Sequence, residues 1–150
     1  MEYRSDTPIR HDRICQLVFA QMGRSVLTSR IREIGYGNGD ISGSLSSYWL
    51  ESSLQISPAE QVLLLKSMYA NDFDFRPENI QAVKDALRLD TDGSATLYGK
   101  TGTGQVDGLD VNGWFVGFVE RAEGPSFFAL RIASRKDATG SQAAQITLSL

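Results

Sequence analysis

The sequence predicts an α+β fold, with helices first and an antiparallel sheet after them. Three observations carry that prediction. Up to about residue 94, apolar residues recur at helical spacing and the segments open on helix-start signals. Beyond Asp92-Gly93 the period shortens, and aromatic and β-branched residues crowd into 112–121 and 126–134. The links between these strands are short, and short links join antiparallel neighbours. The expected layout is a single partial domain over 1–150: about 1–94 mainly helical, 95–134 antiparallel strands, three of them, and 140–150 the start of a C-terminal helix.

Each element has a local reason. Thr7-Pro8 suits a helix start, threonine as cap and proline in the first turn, and Ile14, Leu17, Val18 and Met22 continue an apolar stripe. A second helix is expected over residues 26–34, closed by Gly35, which takes the left-handed conformation easily. Residues 36–47 are rich in Gly, Asn, Asp and Ser and read as a loop, with Tyr48-Trp49-Leu50 packing part of it inward. Ser57-Pro58-Ala59-Glu60 is a capping box with proline in the first turn. The helix behind it runs to about residue 70 with Val62, Leu65 and Tyr69 on one face. Another runs from Pro77 to Leu87 on Ile80, Val83 and Leu87. Strands follow at 95–100, 112–121 and 126–134, separated by turns at 102–110 and 122–125, and Gly140-Ser141 opens the last helix.

Composition narrows the function. Hydrophobic residues make up 41% and charged residues 22% of the 150, as in ordinary globular chains. A net charge of -3 argues against nucleic-acid binding, which needs a basic face. The longest apolar run, Val62-Leu63-Leu64-Leu65, is too short to span a bilayer, and the first residues lack a secretory signal pattern. Cys15 is the lone cysteine, and with His11 four residues earlier it supplies too few ligands for zinc. No metal or cofactor is expected.

Lys100-Thr101-Gly102 lies on a predicted strand. A lysine there offers positive charge, a threonine offers a hydroxyl, and a glycine leaves the backbone open to a ligand. Gly99-Lys100-Thr101 imitates the end of a phosphate-binding loop, but that motif needs glycine where Ser94 stands and must lead into a helix. A strand-like segment follows instead.

In order along the chain stand Tyr36-Gly37-Asn38, Ile41-Ser42-Gly43, Trp49-Leu50-Glu51, the capped helix at Ser57, Tyr98-Gly99-Lys100-Thr101-Gly102 and Gly113-Trp114-Phe115-Val116-Gly117. This series resembles the class D serine β-lactamases of Gram-positive bacteria and the sensor domains of penicillin receptors, from about residue 21 to residue 150. The resemblance implies a serine β-lactamase/transpeptidase-like fold, present here as its C-terminal half. It implies a cleft for a β-lactam or a peptidoglycan-peptide-like molecule. Lys100, Thr101 and Gly102 would bind substrate, with Lys100 stabilising negative charge and Thr101 bonding the substrate carboxylate. The backbone N–H of Thr103 would form one arm of an oxyanion hole. Tyr36, Gly37 and Asn38 would form a cleft loop, and Trp49 would correspond to the tryptophan that orients the family's carboxylated lysine. An extracytoplasmic location follows by the same resemblance.

The family's nucleophile is a serine with lysine three residues later, the pair that forms and hydrolyses an acyl-enzyme. Here Lys66, Lys84, Lys100 and Lys136 are preceded at that distance by Leu63, Gln81, Leu97 and Ala133. The Ser-x-Val motif is absent from residues 10–16. The basic residue for the substrate carboxylate has no clear counterpart: Ser141 falls near its place, with Arg131 and Arg135 as substitutes. The chain is therefore expected to recognise β-lactams without turning them over. The alternatives are a receptor's sensor domain and a degenerate non-catalytic relative. A partial sheet exposes strand edges, so marginal stability is expected, and exposed sheet and helix surfaces leave self-association open.

Overall fold

Leu27 and Ile31 stand one helical turn apart on α1 (Arg24–Glu33) and are both buried. With Ile41 and Tyr48, which is 2% exposed, they form a core flanked by Phe19, Tyr36 and Leu54. The computed structural model describes residues 18–19, 21–44, 48 and 53–150. His11, Cys15, Trp49, Leu50 and most of the first expected helix lie outside the described residues. Residues 18–19 and 21–22 are helical, as expected. Gly35 closes α1 in the left-handed conformation at φ +65°, and Arg24 reaches from the first turn to donate to the carbonyls of Ile41 and Gly43. These elements belong to one of two compact units, Met1–Ile56; the other is Ser57–Leu150.

The second unit begins with α2 (Pro58–Ala70). Its capping box forms as expected: Ser57 Oγ accepts from the Glu60 N–H at 3.2 Å, and the Glu60 carboxylate accepts from the Ser57 N–H at 2.8 Å. Asn71, left-handed at φ 60°, ends the helix. Ser57→Ala removes the cap and is expected to destabilise the chain by about 1 kcal/mol, read as a lower urea midpoint. An unchanged midpoint would show that water replaces the cap at no cost.

α3 (Pro77–Leu87) follows and buries no residue completely. Ile80 and Leu87 are half-buried, but Val83, expected on the inner face, is exposed. The side chain that turns toward the sheet is its neighbour Lys84, which finds a carboxylate there.

The sheet has four antiparallel strands in the order β1 (Arg88–Asp92), β2 (Ala95–Val106), β3 (Leu109–Arg121) and β4 (Gly124–Ala133). Two expectations are corrected. A fourth strand, β1, lies in the region read as mainly helical, and pairs with β2 from Asp92↔Ala95 to Arg88↔Tyr98. The segment 102–110 is not a turn: β2 continues through Val106, and the reversal is confined to Asp107 and Gly108, both left-handed. Two-residue turns with positive φ match the natural twist of hairpins.

Side chains alternate across the strands, and each face has its own cover. On one face Phe115, 0% exposed, packs with Ala143 and Ala144 of α4 (Gly140–Leu148) and with Leu130 and Phe128. On the other, Phe118, also 0% exposed, stacks on Tyr98 at 4.6 Å and meets Tyr69 of α2 edge-on at 5.3 Å. Burial of such a side chain contributes roughly 1.5–3 kcal/mol, so these two rings anchor the layers.

Candidate functional site

β1 stops pairing at Tyr98, so from Gly99 onward β2 has a strand neighbour on one side only among the described residues. Lys100, Thr101, Gly102 and Thr103 all fall on this open stretch, opposite Val116, Phe115, Trp114 and Gly113 of β3. An edge strand with backbone groups free of a second ladder is suited to receive an extended ligand.

Strand alternation puts Lys100 and Gly102 on one face and Thr101 and Thr103 on the other. Lys100 is exposed, and its ammonium donates to the Thr101 carbonyl at 2.6 Å. A Cβ on Gly102 would meet only Trp114 Cβ, at 3.8 Å, so the lysine face beside it is open. Thr101 is half-buried under the first residue of α4: a Cβ on Gly140 would lie 2.7 Å from the Gly102 carbonyl oxygen and 2.9 Å from Thr101 Cβ. The N–H of Gly140 donates to Thr103 Oγ1 at 3.0 Å. Thr139 caps α4 in a second capping box with Gln142. The Lys-Thr-Gly stretch is thus held from behind by a helix end while its lysine side stays accessible.

The structure gives Tyr36, Gly37 and Asn38 a bracing task within the first unit. Asn38 Oδ1 accepts from the N–H groups of Asp40 and Gln55 at 3.1 and 3.0 Å, and its amide nitrogen donates to the Ser53 carbonyl at 2.9 Å. Gly37 sits at φ +48° with Gln55 so close that a Cβ would come within 1.9 Å of its oxygen. Burial pushes the Tyr36 phenol up. Every polar atom of the Asn38 side chain is committed to the loop. Trp49 lies outside the described residues.

Two clusters escaped the sequence reading. Glu120 Oε1 accepts from Tyr69 Oη and Lys84 Nζ, each at 2.6 Å. Lys84 Nζ stands 4.8 Å from the Tyr69 ring centre and 5.6 Å from that of Tyr98. The Lys84 and Tyr69 hydrogen bonds hold the Glu120 carboxyl below its ordinary range. The bond to Glu120, before burial, pushes Tyr69 up to about 12. The one signal in the sequence was a lysine set inside the apolar stripe of α3. The second cluster is Arg131 with Trp114 and Asn112, on the sheet face of Lys100. Among the described residues no group of three or more His, Cys, Asp or Glu side chains is placed to hold a metal ion.

Helices packed against an antiparallel sheet, with Lys-Thr-Gly on an exposed strand edge, define a protein of the penicillin-binding and serine β-lactamase class. The chain belongs to the penicillin binding protein transpeptidase domain family, whose model matches residues 12–150. It is 48% identical over 130 residues to the regulatory protein BlaR1 of Bacillus licheniformis, covering 87% of this chain and 22% of that protein. It is 38% identical over 120 residues to β-lactamase OXA-20 of Pseudomonas aeruginosa, covering 79% of this chain and 43% of that one. The solved C-terminal domain of the B. licheniformis BlaR penicillin-receptor superposes with a TM-score of 0.83 at 47% identity, over 89% of this chain and 54% of that domain. A class D β-lactamase from Bacillus subtilis superposes at 0.84 and 32% identity, over 93% and 56%. The chain therefore spans about half the length of these solved relatives. No helix among the described residues is long and apolar enough to cross a membrane.

Proposed function

We propose that this chain is a β-lactam-recognising domain of the class D branch of its family, in which Lys100, Thr101, Gly102 and the backbone N–H of Thr103 form one wall of the ligand cleft. The observation that carries this reading is the placement of Lys100-Thr101-Gly102 on a β2 edge that no other described strand covers. Lys100 stabilises the ligand's negative charge, Thr101 bonds the ligand carboxylate, Gly102 admits the ligand to the backbone, and the Thr103 N–H is offered to the lactam carbonyl. Acylation needs an attacking oxygen beside a base, and no serine in the chain has lysine three residues on. Binding is accordingly reversible.

The chain, incubated with a chromogenic cephalosporin and a fluorescent penicillin, is expected to give no colour above buffer and no covalent label. Reversible penicillin binding, followed by the fluorescence of the label, is expected to weaken at least about fivefold in Lys100→Gln through loss of a charge-assisted bond. Hydrolysis or a stable label would refute the inactive reading, and unchanged affinity in Lys100→Gln would remove Lys100 from the wall.

A second reading, the sensor domain of a penicillin receptor, is supported by the higher identity with BlaR1 (48%) than with OXA-20 (38%). A transmembrane segment in the reading frame upstream would favour it, and a signal peptide would favour the secreted enzyme. Either places the domain outside the cytoplasm.

A further inference from the structure

Arg24, Thr28 and Arg32 recur every fourth residue on α1 and so form one stripe of the helix. Between this stripe and the loop 38–42 lies a groove of about 460 Å³. Its two walls carry opposite charge: Arg24 and Arg32 on the helix, Asp40 on the loop. The loop wall is fixed from several sides. The Asp40 N–H donates to Asn38 Oδ1 at 3.1 Å, its carbonyl accepts from Ser53 Oγ at 2.9 Å, and its Oδ1 accepts from the Ser42 N–H at 2.8 Å. A carboxylate has about four acceptor sites, so most of its capacity is left for a ligand. Arg24 ties the walls together, because its terminal nitrogens donate to the carbonyls of Ile41 and Gly43. Arg32 has no such task. It is exposed, and Glu33 beside it is taken by Arg30 at 2.6 Å. None of the ion pairs among the described residues includes Arg32 or Asp40. A plain anion in this groove is repelled by Asp40, and a plain cation by the arginines. A molecule carrying both charges satisfies both walls.

We propose that the groove between α1 and the loop 38–42 binds a small zwitterion, an ammonium and a carboxylate on a short aliphatic linker. Arg32 takes the carboxylate, which its planar fork can hold through two parallel charge-assisted bonds. Asp40 takes the ammonium, and the linker passes over a groove also lined by Gly39 and the buried Ile41. Arg24 is a positioning residue: it holds the loop wall in place before the ligand arrives, which lowers the ordering cost of binding. The groove belongs wholly to the first unit, and none of its charged groups forms part of the cleft wall proposed above.

The test uses no β-lactam. 4-Aminobutyrate and 6-aminohexanoate are each titrated into the chain at low ionic strength, beside butyrate, butylamine, hexanoate and hexylamine as their one-charge halves. The Arg32 Nε–H and Ser42 amide N–H resonances are followed. At least one zwitterion is expected to shift both and to bind at least about fivefold more tightly than either of its halves, because its second contact is intramolecular. In Arg32→Gln its affinity should fall to that of the amine while the Ser42 shift persists. In Asp40→Asn, whose side-chain oxygen can still accept from the Ser42 N–H and keep the turn, it should fall to that of the carboxylate while the Arg32 shift persists. Two zwitterions that bind no more tightly than their halves would overturn the site. Zwitterion affinity unchanged in Arg32→Gln or in Asp40→Asn would overturn the pairing of the two walls.

Discussion

Gly117→Ala is expected to destabilise the second unit severely. A Cβ at residue 117 would lie 2.0 Å from the Tyr98 carbonyl oxygen, 2.8 Å from Gly99 Cα and 2.9 Å from the Phe128 ring. The first two obstacles are backbone, so no rotamer change relieves them. Gly117 and Gly99 face each other across β2 and β3, and the Phe115 ring covers Gly99 so closely that a Cβ there would come within 2.7 Å of it. Adding one methyl forces the two central strands apart where they carry the core. We expect a loss of more than about 3 kcal/mol, above the usual range for overpacking. Against a net stability of only about 5–15 kcal/mol, that is enough to populate unfolded chain. Gly102→Ala is the matched control: its Cβ meets only Trp114 Cβ, at ordinary contact distance, and its urea midpoint should stay close to that of the parent. Equal midpoints for the parent and Gly117→Ala would mean that the strands part easily, and the tight pairing described above would be wrong.

What the sequence made legible was whatever is decided locally. The Ser57 capping box, the left-handed closure at Gly35 and the inward Tyr48 depend on residues a few positions apart, and all three appear where expected. The hairpin from β3 to β4 was equally plain, because aromatic and β-branched residues fill both strands. β1 was not legible. Arg88-Leu89-Asp90-Thr91-Asp92 has one apolar residue in five, and only its pairing with β2 makes it a strand. The far half of β2 was hidden for a related reason. Gly102, Thr103, Gly104 and Gln105 have the composition of a turn, yet an edge strand facing solvent needs no apolar alternation, and its ladder with β3 supplies the order. Of the candidate site, Lys100-Thr101-Gly102 could be read because its chemistry is contiguous. The Arg131 and Glu120 clusters could not, since each joins residues that only strand register or a helix crossing brings together.

Glu120→Ala is expected to cost about 2–3 kcal/mol, since it leaves a half-buried ammonium and the Tyr69 phenol without their shared acceptor. The side chains of Lys84 and Glu120 are 20% and 27% exposed, enough for water to soften the loss without cancelling it. The effect should centre on α3, which buries no residue of its own and whose inward lysine ends at this carboxylate. Faster amide exchange in α3 than in α4 would locate it. The same hub sets two pH windows. Glu120 is held below the ordinary carboxyl range by Lys84 first and Tyr69 second, so its contribution is present above the unfolded carboxyl value and is lost as pH falls through the lowered one. Tyr69 is pushed up to about 12, chiefly by its bond to Glu120. Its contribution is therefore complete below the ordinary phenol value of about 10 and disappears as pH rises toward 12. Tyr98, raised by burial and then by Glu120, adds to the alkaline loss, while Arg88 and Asp85 act on it in opposite directions. Phenolate absorbance should show the delayed tyrosine titration in the parent and an earlier one in Glu120→Gln, where the acceptor no longer carries charge. If both proteins titrate alike, Glu120 does not govern Tyr69, and the attachment of α3 must come from Ile80 and Leu87 instead.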